Sequence, residues 1–565
     1  MHHPAPLEPE GPSPHRARQD SLQFEALPYR DTLHGWRGRT TRFHRIRNRQ
    51  AIHHCVSGAR LRGVKAVIDG LSSFSIHGPF QNGHENPDTP KSKPIDVHQP
   101  GYLLIPSCFV MNTFPTSSEF LAEKYDRPVP RYTSYPTAVQ FSDQITYQTI
   151  NAWLTGLDHK AAVSVYLHLP FCPSLCWYCG CNMRVTHSET LMQDYLAALQ
   201  REIAIAASRL QHRLDISTIH LGGGTPTYYR PDDLKRLFSA IGTHFDILPG
   251  AEVSVEIDPR RFDAPLARAL GDIGITRASL GVQDTNPAVQ QAIGRIQPLE
   301  QTAAAFSLLR DAGIKAINAD LIYGLPLQTT ESIQQTARDV ASLGASRIAL
   351  YGYAHVPWMK PHQRLLEKNP IPGAVERLRL FNAAARVFHS GGYQAVGIDH
   401  FAHKRDALAK AAAKGTMNRN FMGYTTDSSP TILGFGVSSI SSYPVGYSQN
   451  TTSIKDYLHQ MKDERLPVWK GYRLTRKDIC AARIITSIMC RLEVDVAGIA
   501  QEHGFPPTAL VANAQNLMQM RTDGLIEGDI NGTIRVTSLG RPFTRILASC
   551  FDAYMKPSTQ RHSRL

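Results

Sequence analysis

The chain has 565 residues, 42% hydrophobic and 19% charged, with 61 Lys+Arg against 48 Asp+Glu and a net charge of +13. That length exceeds what one ordinary core accommodates, so two or more domains are expected. No apolar run approaches the roughly 18 residues of a membrane span, and the opening stretch MHHPAPLEPEGPSPHRARQ lacks the regions of a secretory signal. The expected location is therefore the cytoplasm. Four of the nine cysteines fall within positions 172–181, and an odd total so clustered argues against a disulfide framework.

Residues 1–110 carry ten of the 24 histidines, 14 Lys+Arg against 9 Asp+Glu, and no sustained period of 2 or 3.6. Stretches such as RGRTTRFHRIRNRQ read as a disordered basic extension. A passive role outweighs a nucleic-acid or targeting arm. Upstream translation from a misplaced start is a further reading, because ordinary protein pattern begins at Met111. The charge bias over the remaining residues is mild and suits an anionic small substrate as well as a nucleic acid.

From about residue 161 strand and helix alternate. Strands are predicted at 163–169, 217–222, 252–258, 277–283, 316–324 and 347–354, with a further one at 393–399. Amphipathic helical stretches separate them, and Gly274, Gly313 and Gly344 follow three of these at positions suited to a helix end. Such repetition implies parallel strands with right-handed crossovers. The expected fold is α/β: a partial (β/α)6 TIM-like barrel over residues 161–370.

The first strand leads directly into PFCPSLCWYCGC, with Cys172, Cys176, Cys179 and Cys181. Three thiolates at C-x3-C-x2-C can each reach a different iron of a cubane cluster, which leaves the fourth iron for a small-molecule chelate. Zinc held by all four cysteines is the rival reading, although that spacing would strain a tetrahedron. Barrels place their sites at the carboxyl ends of the strands. The second strand ends in Gly222-Gly223-Gly224-Thr225, and the third, fourth and fifth end at Glu256, Gln283 and Asp320. The sixth ends near Tyr353 and Ala354. Polar groups inside apolar strands need partners, and their recurrence on the cysteine rim favours a ligand-binding ring. Arg295, after the fourth strand, is placed to pair with a carboxylate.

Residues 371–565 read as a mostly helical domain. DGLIEGDINGTIRVTSLGRPF resembles a helix and a small hairpin, a winged-helix-like end. Its acidic residues favour a structural or lid role over DNA binding.

Taken together, CPSLCWYCGC, GGGTPT, VEIDPR, GVQD, DLIYGLP and DHFA resemble the oxygen-independent coproporphyrinogen III oxidase family of radical S-adenosylmethionine (SAM) enzymes. PRYTSYPTA (130–138) and RNFMGYTT (419–426) are the more specific matches, and the likeness runs from Met111 onward. It implies a radical SAM barrel, a substrate-site segment at 111–160, a [4Fe–4S] cluster on Cys172, Cys176 and Cys179, and Cys181 as a family marker. Two SAM molecules are implied. The first would contact Tyr166, Gly223, Glu256 and Ile440; the second would contact Tyr178, Gly224, Thr225, Gln283, Arg295, Asp320 and Ala354.

The reaction so implied is oxidative decarboxylation of two propionates of coproporphyrinogen III to vinyls, giving protoporphyrinogen IX. Arg131 and Arg419, inside the two specific motifs, are the candidates for the substrate's carboxylates. A flavodoxin or ferredoxin would supply electrons to a monomer that binds neither nucleic acid nor membrane. Asn418 and Met422 depart from the His and Gln usual in the family. The alternatives are a haem-chaperone relative, which generally lacks PRYTSYPTA and Cys-Gly-Cys, and a nucleic-acid-binding protein. Deletion of residues 1–110 is expected to leave catalytic activity intact; a loss of activity in the truncated protein would refute the passive reading.

Overall fold

The computed structural model of the chain describes residues 118–555; the expectation for residues 1–110 lies outside them. Six parallel strands follow one another: β1 (Val163–Leu169), β2 (Asp215–Gly223), β3 (Asp246–Ile257), β4 (Arg277–Gln283), β5 (Ala316–Tyr323) and β6 (Arg347–Gly352). Helices cross between them: α1 (Glu189–Ala207), α2 (Pro231–His244), α3 (Ala264–Asp272), α4 (Leu299–Asp311) and α5 (Thr330–Ser342). This is the expected open (β/α)6 barrel.

Local chemistry sets the helix limits. Ser188 Oγ accepts from Leu191 N at 3.2 Å to cap α1. At α5, Thr329 and Ser332 form a reciprocal capping box. After α4, Gly313 adopts φ +83°, the left-handed conformation that ends a helix without a Cβ penalty.

Downstream, α6 (Ala374–Ser390) precedes β7 (Tyr393–Val396) and β8 (His400–His403). β7 is the strand expected at 393–399, and it is reached through β8, which pairs antiparallel with β6. Four further strands close the other flank: β9 (Ile432–Phe435), β10 (Ile440–Tyr443), β11 (Gly446–Asn450) and β12 (Val468–Arg473). β9 lies parallel to β1, and the rest follow as antiparallel neighbours. The complete sheet runs β12-β11-β10-β9-β1-β2-β3-β4-β5-β6-β8-β7. Residues 393–473 thus add strands to the sheet, and helix dominates only from Arg476 onward. Apart from β7, these strands are too short and too irregular in alternation to announce themselves by period.

The main core fills the space between the sheet and its helices. A second core joins Leu121, Tyr125, Tyr132 and Tyr135 to the last hundred residues, among them Ile484, Leu517 and Phe543. There a three-stranded sheet (493–495, 526–528, 533–536) packs with helices Arg476–Arg491 and Ala514–Thr522. Among the described residues no helix is long and apolar enough to cross a membrane.

A buried carboxylate ties α1 to the β9 flank. Glu202 accepts from Gly436 N at 2.7 Å, Asn450 Nδ2 at 2.6 Å and Tyr457 OH at 2.6 Å. Burial lifts its pKa to about 7 although the three donors oppose this. Its folded-state value exceeds that of the unfolded chain, so this group's contribution falls as pH rises from about 4.5 to about 7. Tyr457→Phe is expected to cost about 1–3 kcal/mol by removing one donor. It should also move the upper end of that pH window upward, both read from melting temperature against pH.

Candidate active site

Parallel register makes one face of the sheet polar. Tyr166 lies opposite His220, His220 opposite Ser254, Glu256 opposite Ser279, Ser279 opposite Asn318, and Gly281 opposite Asp320. Their side chains interlock from strand to strand. Tyr166 OH meets His168 Nδ1 at 2.9 Å, and its ring stacks on His220 with centroids 5.9 Å apart. His220 bridges Ser254 (2.7 Å) and Glu256 (3.4 Å), and Gly223 N donates to Glu256 at 3.1 Å. Burial would raise the Glu256 pKa, but the histidine and the backbone donor outweigh it and hold the carboxyl below its usual range. Asp320 accepts from Ser279 Oγ at 2.8 Å and Asn318 Nδ2 at 2.7 Å; burial prevails there and lifts it to about 6.

The cysteine loop sits at the carboxyl end of β1. Cys172 and Cys176 are buried, Cys179 is half-buried, and Cys181 is exposed. Thr225 Oγ1 donates to Cys172 Sγ at 3.3 Å. Cys176 Sγ accepts from Arg295 Nη1 at 3.5 Å and Arg260 Nη2 at 3.6 Å. Burial pushes the Cys172 thiol up to about 12, whereas the hydrogen bond from Cys181 draws Cys179 down to about 7.

Asp258 balances the two guanidiniums. Arg260 Nη2 donates to it at 2.6 Å and Arg295 Nη2 at 3.1 Å, and Arg295 also reaches Gly281 O at 2.6 Å. Burial opposes ionisation of Asp258, yet the arginines keep its pKa below the ordinary value. The loop backbone is clasped from outside: Gln363 Nε2 donates to Tyr178 O at 2.9 Å, Lys360 Nζ to Cys181 O at 2.7 Å, and His362 Nε2 contacts Cys179 O at 2.8 Å. Trp177 N donates to Ile293 O at 3.0 Å.

The glycine turn presses against this loop. Gly224 N donates to Leu169 O at 2.9 Å, and a Cβ on Gly224 would lie 2.6 Å from Pro170 O. Gly223 takes φ +114°, and a Cβ there would strike the His168 ring. Gln283 also has positive φ (+69°), at a bulge in the β4–β5 ladder. Such a conformation in a non-glycine residue is stored strain of the kind found at ligand sites. Ala354 lies just past β6, and Ile440 opens β10 beside Gly434, where a Cβ would sit 2.5 Å from Ile440 O.

Arg131 and Arg419 are brought together at the end of β6. Arg131 Nη2 donates to Gly352 O at 3.1 Å, and Arg419 Nη2 to Arg131 O at 3.3 Å. Their motifs do structural work as well. Tyr132 OH donates to Asp552 at 2.9 Å, and Tyr424 OH to Met489 O at 2.8 Å. Asn418 Nδ2 closes the 418–427 loop on Asp427 O at 3.0 Å, and Met422 N caps its turn on Asn420 Oδ1 at 2.9 Å.

Sequence reasoning passed over Asp258, Arg260, His168, His220 and the Lys360–Gln363 clasp. His168 and His220 had a signal, polar residues two apart within strands, as in Tyr166-Leu-His168; Asp258 and Arg260 lie just past β3, in the Pro259–Arg261 turn and its cap. The clasp had none, because it depends on a loop from 180 residues away.

The residues fit an iron–sulfur cluster with an attached ligand. Cys172, Cys176 and Cys179 lie on one short loop at the end of β1, with Arg260 and Arg295 donating to the Cys176 sulfur. Cationic iron would stabilise the thiolate form of a sulfur such as Cys172. Arg295 Nε and Asn318 Oδ1 are buried at this face without a hydrogen-bond partner, two polar atoms that a bound molecule would satisfy.

Fold and site define the class. A radical SAM superfamily model matches residues 166–340. Oxygen-independent coproporphyrinogen III oxidase of Bradyrhizobium diazoefficiens is 43% identical over 445 residues, 79% of this chain and 99% of that protein. The Synechocystis protein of the same name is 35% identical over 460 residues, 80% of this chain and 98% of its own. A solved Escherichia coli coproporphyrinogen III oxidase, described as a radical SAM enzyme, superimposes with a TM-score of 0.71 at 35% identity, covering 76% of this chain and 100% of that one. The chain belongs to the oxygen-independent coproporphyrinogen III oxidase family.

Asp258→Asn is expected to leave Arg260 and Arg295 buried against Cys176 without a counter-carboxylate. A loss of about 3–5 kcal/mol should appear as a lower melting temperature, together with lower iron retention after reconstitution. Asp258→Glu should recover part of both.

Proposed function

We propose that this chain carries out radical SAM oxidative decarboxylation of two propionates of coproporphyrinogen III, giving the vinyl groups of protoporphyrinogen IX. The observation that carries the reading is the cysteine loop set at the end of β1 beside an interlocked polar face, in a chain that matches coproporphyrinogen III oxidases over about four fifths of its length. Cys172, Cys176 and Cys179 would hold the [4Fe–4S] cluster. When bound, cluster and SAM supply the radical that takes a hydrogen atom from the propionate β-carbon; loss of CO2 and one electron completes each vinyl.

The protein's own part is to hold, orient and exclude water. Tyr166, Gly223, Glu256 and Ile440 form one SAM contact set. Tyr178, Gly224, Thr225, Gln283, Arg295, Asp320 and Ala354 form the second. Arg131 and Arg419 meet substrate carboxylates. A flavodoxin or ferredoxin donates electrons, and the enzyme works as a cytoplasmic monomer. The coproporphyrinogen names of the relatives disfavour the haem-chaperone alternative.

Anaerobic reconstitution with iron and sulfide, then incubation with SAM, a low-potential reductant and coproporphyrinogen III, tests this directly. Protoporphyrinogen is expected from the wild type and none from Cys176→Ala. SAM cleavage with no vinyl product would overturn the proposal.

A further inference from the structure

A cavity of about 370 Å³ opens between the end of β6, helix α6, the Ile398–Phe401 segment and residues 538–545. Six arginines line it: Arg131, Arg377, Arg386, Arg419, Arg541 and Arg545. One carboxylate, Asp399, lies among its lining residues, and His400 Nδ1 already engages that group at 2.7 Å. Three of the arginines donate to neutral carbonyls. Arg131 donates to Gly352 O (3.1 Å), Arg377 to Tyr353 O (2.8 Å) and Arg541 to Gly397 O (2.6 Å).

Two of the guanidiniums are incompletely satisfied, since Arg377 Nε and Arg419 Nε are buried with no hydrogen-bond partner. Positive charge is crowded as well. Burial, reinforced by Arg131 and Arg377, drives the Arg545 pKa down to about 10. Asp126 lies within electrostatic reach of Arg377 and Asp399 of Arg419, yet Arg377 Nε and Arg419 Nε stay orphaned, and those two buried donors call for an anionic ligand. Its character follows from the remaining walls. Leu378, Phe381, Ile398 and Phe543 give the cavity an extended apolar side, which a free inorganic anion would not need.

The cavity adjoins the polar face at the Asp320 end. Tyr351, one of its lining residues, lies within electrostatic reach of Asp320, Asp399, Arg131 and Arg419. Coproporphyrinogen III matches this shape and charge. The reaction removes carboxylates from two neighbouring pyrroles, while the other two, also on neighbouring pyrroles, pass through unchanged.

We propose that the cavity anchors these two surviving propionates through Arg377 and Arg541 together with Arg131 and Arg419, the macrocycle edge lying on its apolar wall. The inference rests on the coproporphyrinogen reading above and deepens it. Carboxylates held here remain held after the first vinyl forms, so the mono-vinyl intermediate stays bound for the second turnover. The role of Arg377 and Arg541 is therefore positioning and binding.

The test needs no turnover. Porphyrin fluorescence quenching by the full chain is measured with coproporphyrin III, with mesoporphyrin IX, whose only carboxylates are on those two pyrroles, and with mesoporphyrin dimethyl ester. The wild type is expected to bind both acids within a few-fold of each other and the ester about 10- to 100-fold more weakly. Arg377→Gln and Arg541→Gln should weaken both acids by a similar factor and leave the ester unchanged, with partial recovery in Arg541→Lys.

In the catalytic assay the Gln variants should release mono-vinyl intermediate. Equal binding of ester and acid by the wild type would overturn the proposal without reference to any variant. Variants with unaltered affinity for the acids would do the same. Displacement of mesoporphyrin IX by micromolar inorganic phosphate would instead make this a site for small free anions. Loss of vinyl formation with carboxylate-dependent binding intact would count against the reaction and not against the cavity.

Discussion

The structure depends first on the parallel register of β1 to β6. Each crossover helix returns the chain to the same edge, so all six strands deliver their carboxyl ends to one rim. Side chains alternate across a sheet, and polar residues two apart therefore fall on one face together. Once buried there they must find partners. The Tyr166–His220–Ser254–Glu256 and Ser279–Asn318–Asp320 chains are the result. The same bonds that satisfy the interior hold the ligand-facing groups in place, so stability and preorganisation come from one set of contacts.

Charge is handled in two contrasting ways at the two ends of this face. Around Cys176 two guanidiniums share the Asp258 carboxylate and both reach the Cys176 sulfur. At the β6 end arginines from four separate segments gather around a space whose lining holds one carboxylate, already engaged by His400. The first arrangement fixes the loop that carries the cysteines. The second is the one that a bound carboxylate would complete under the proposal for the cavity.

That second region exists only because distant parts of the chain fold together. Tyr132 and Tyr135 of the 130–138 motif dock into the core built by residues 480–551. Docking carries Arg131 to Gly352, while the 418–425 hairpin brings Arg419 to the same place. A motif that reads as a substrate signature is therefore also an anchor for the last domain. Substitution of its tyrosines would disturb the site through packing, without contact to any ligand.

The sequence by itself was enough for the six barrel strands, their order and the cysteine loop, because hydrophobic period, helix caps and cysteine spacing are local quantities. Glu256 and Gln283 were legible as strand ends for the same reason, whereas Asp320, expected at an end, lies inside β5 (Ala316–Tyr323). The period-2 polar pattern that marks His168 and His220 was present but ambiguous, since burial of a lone histidine is ordinary until its neighbours across the sheet are known. The strands after β7 are short and owe their place to pairing: β8 with β6, β9 with β1, and the others in turn on β9. Only the tertiary structure decided that Asp258 would bind both Arg260 and Arg295, that Lys360–Gln363 would clasp the cysteine loop, and that Arg377 and Arg541 would join Arg131 and Arg419. Those contacts span tens to hundreds of residues. Their energies come from burial and charge balance, which no local stretch of sequence contains.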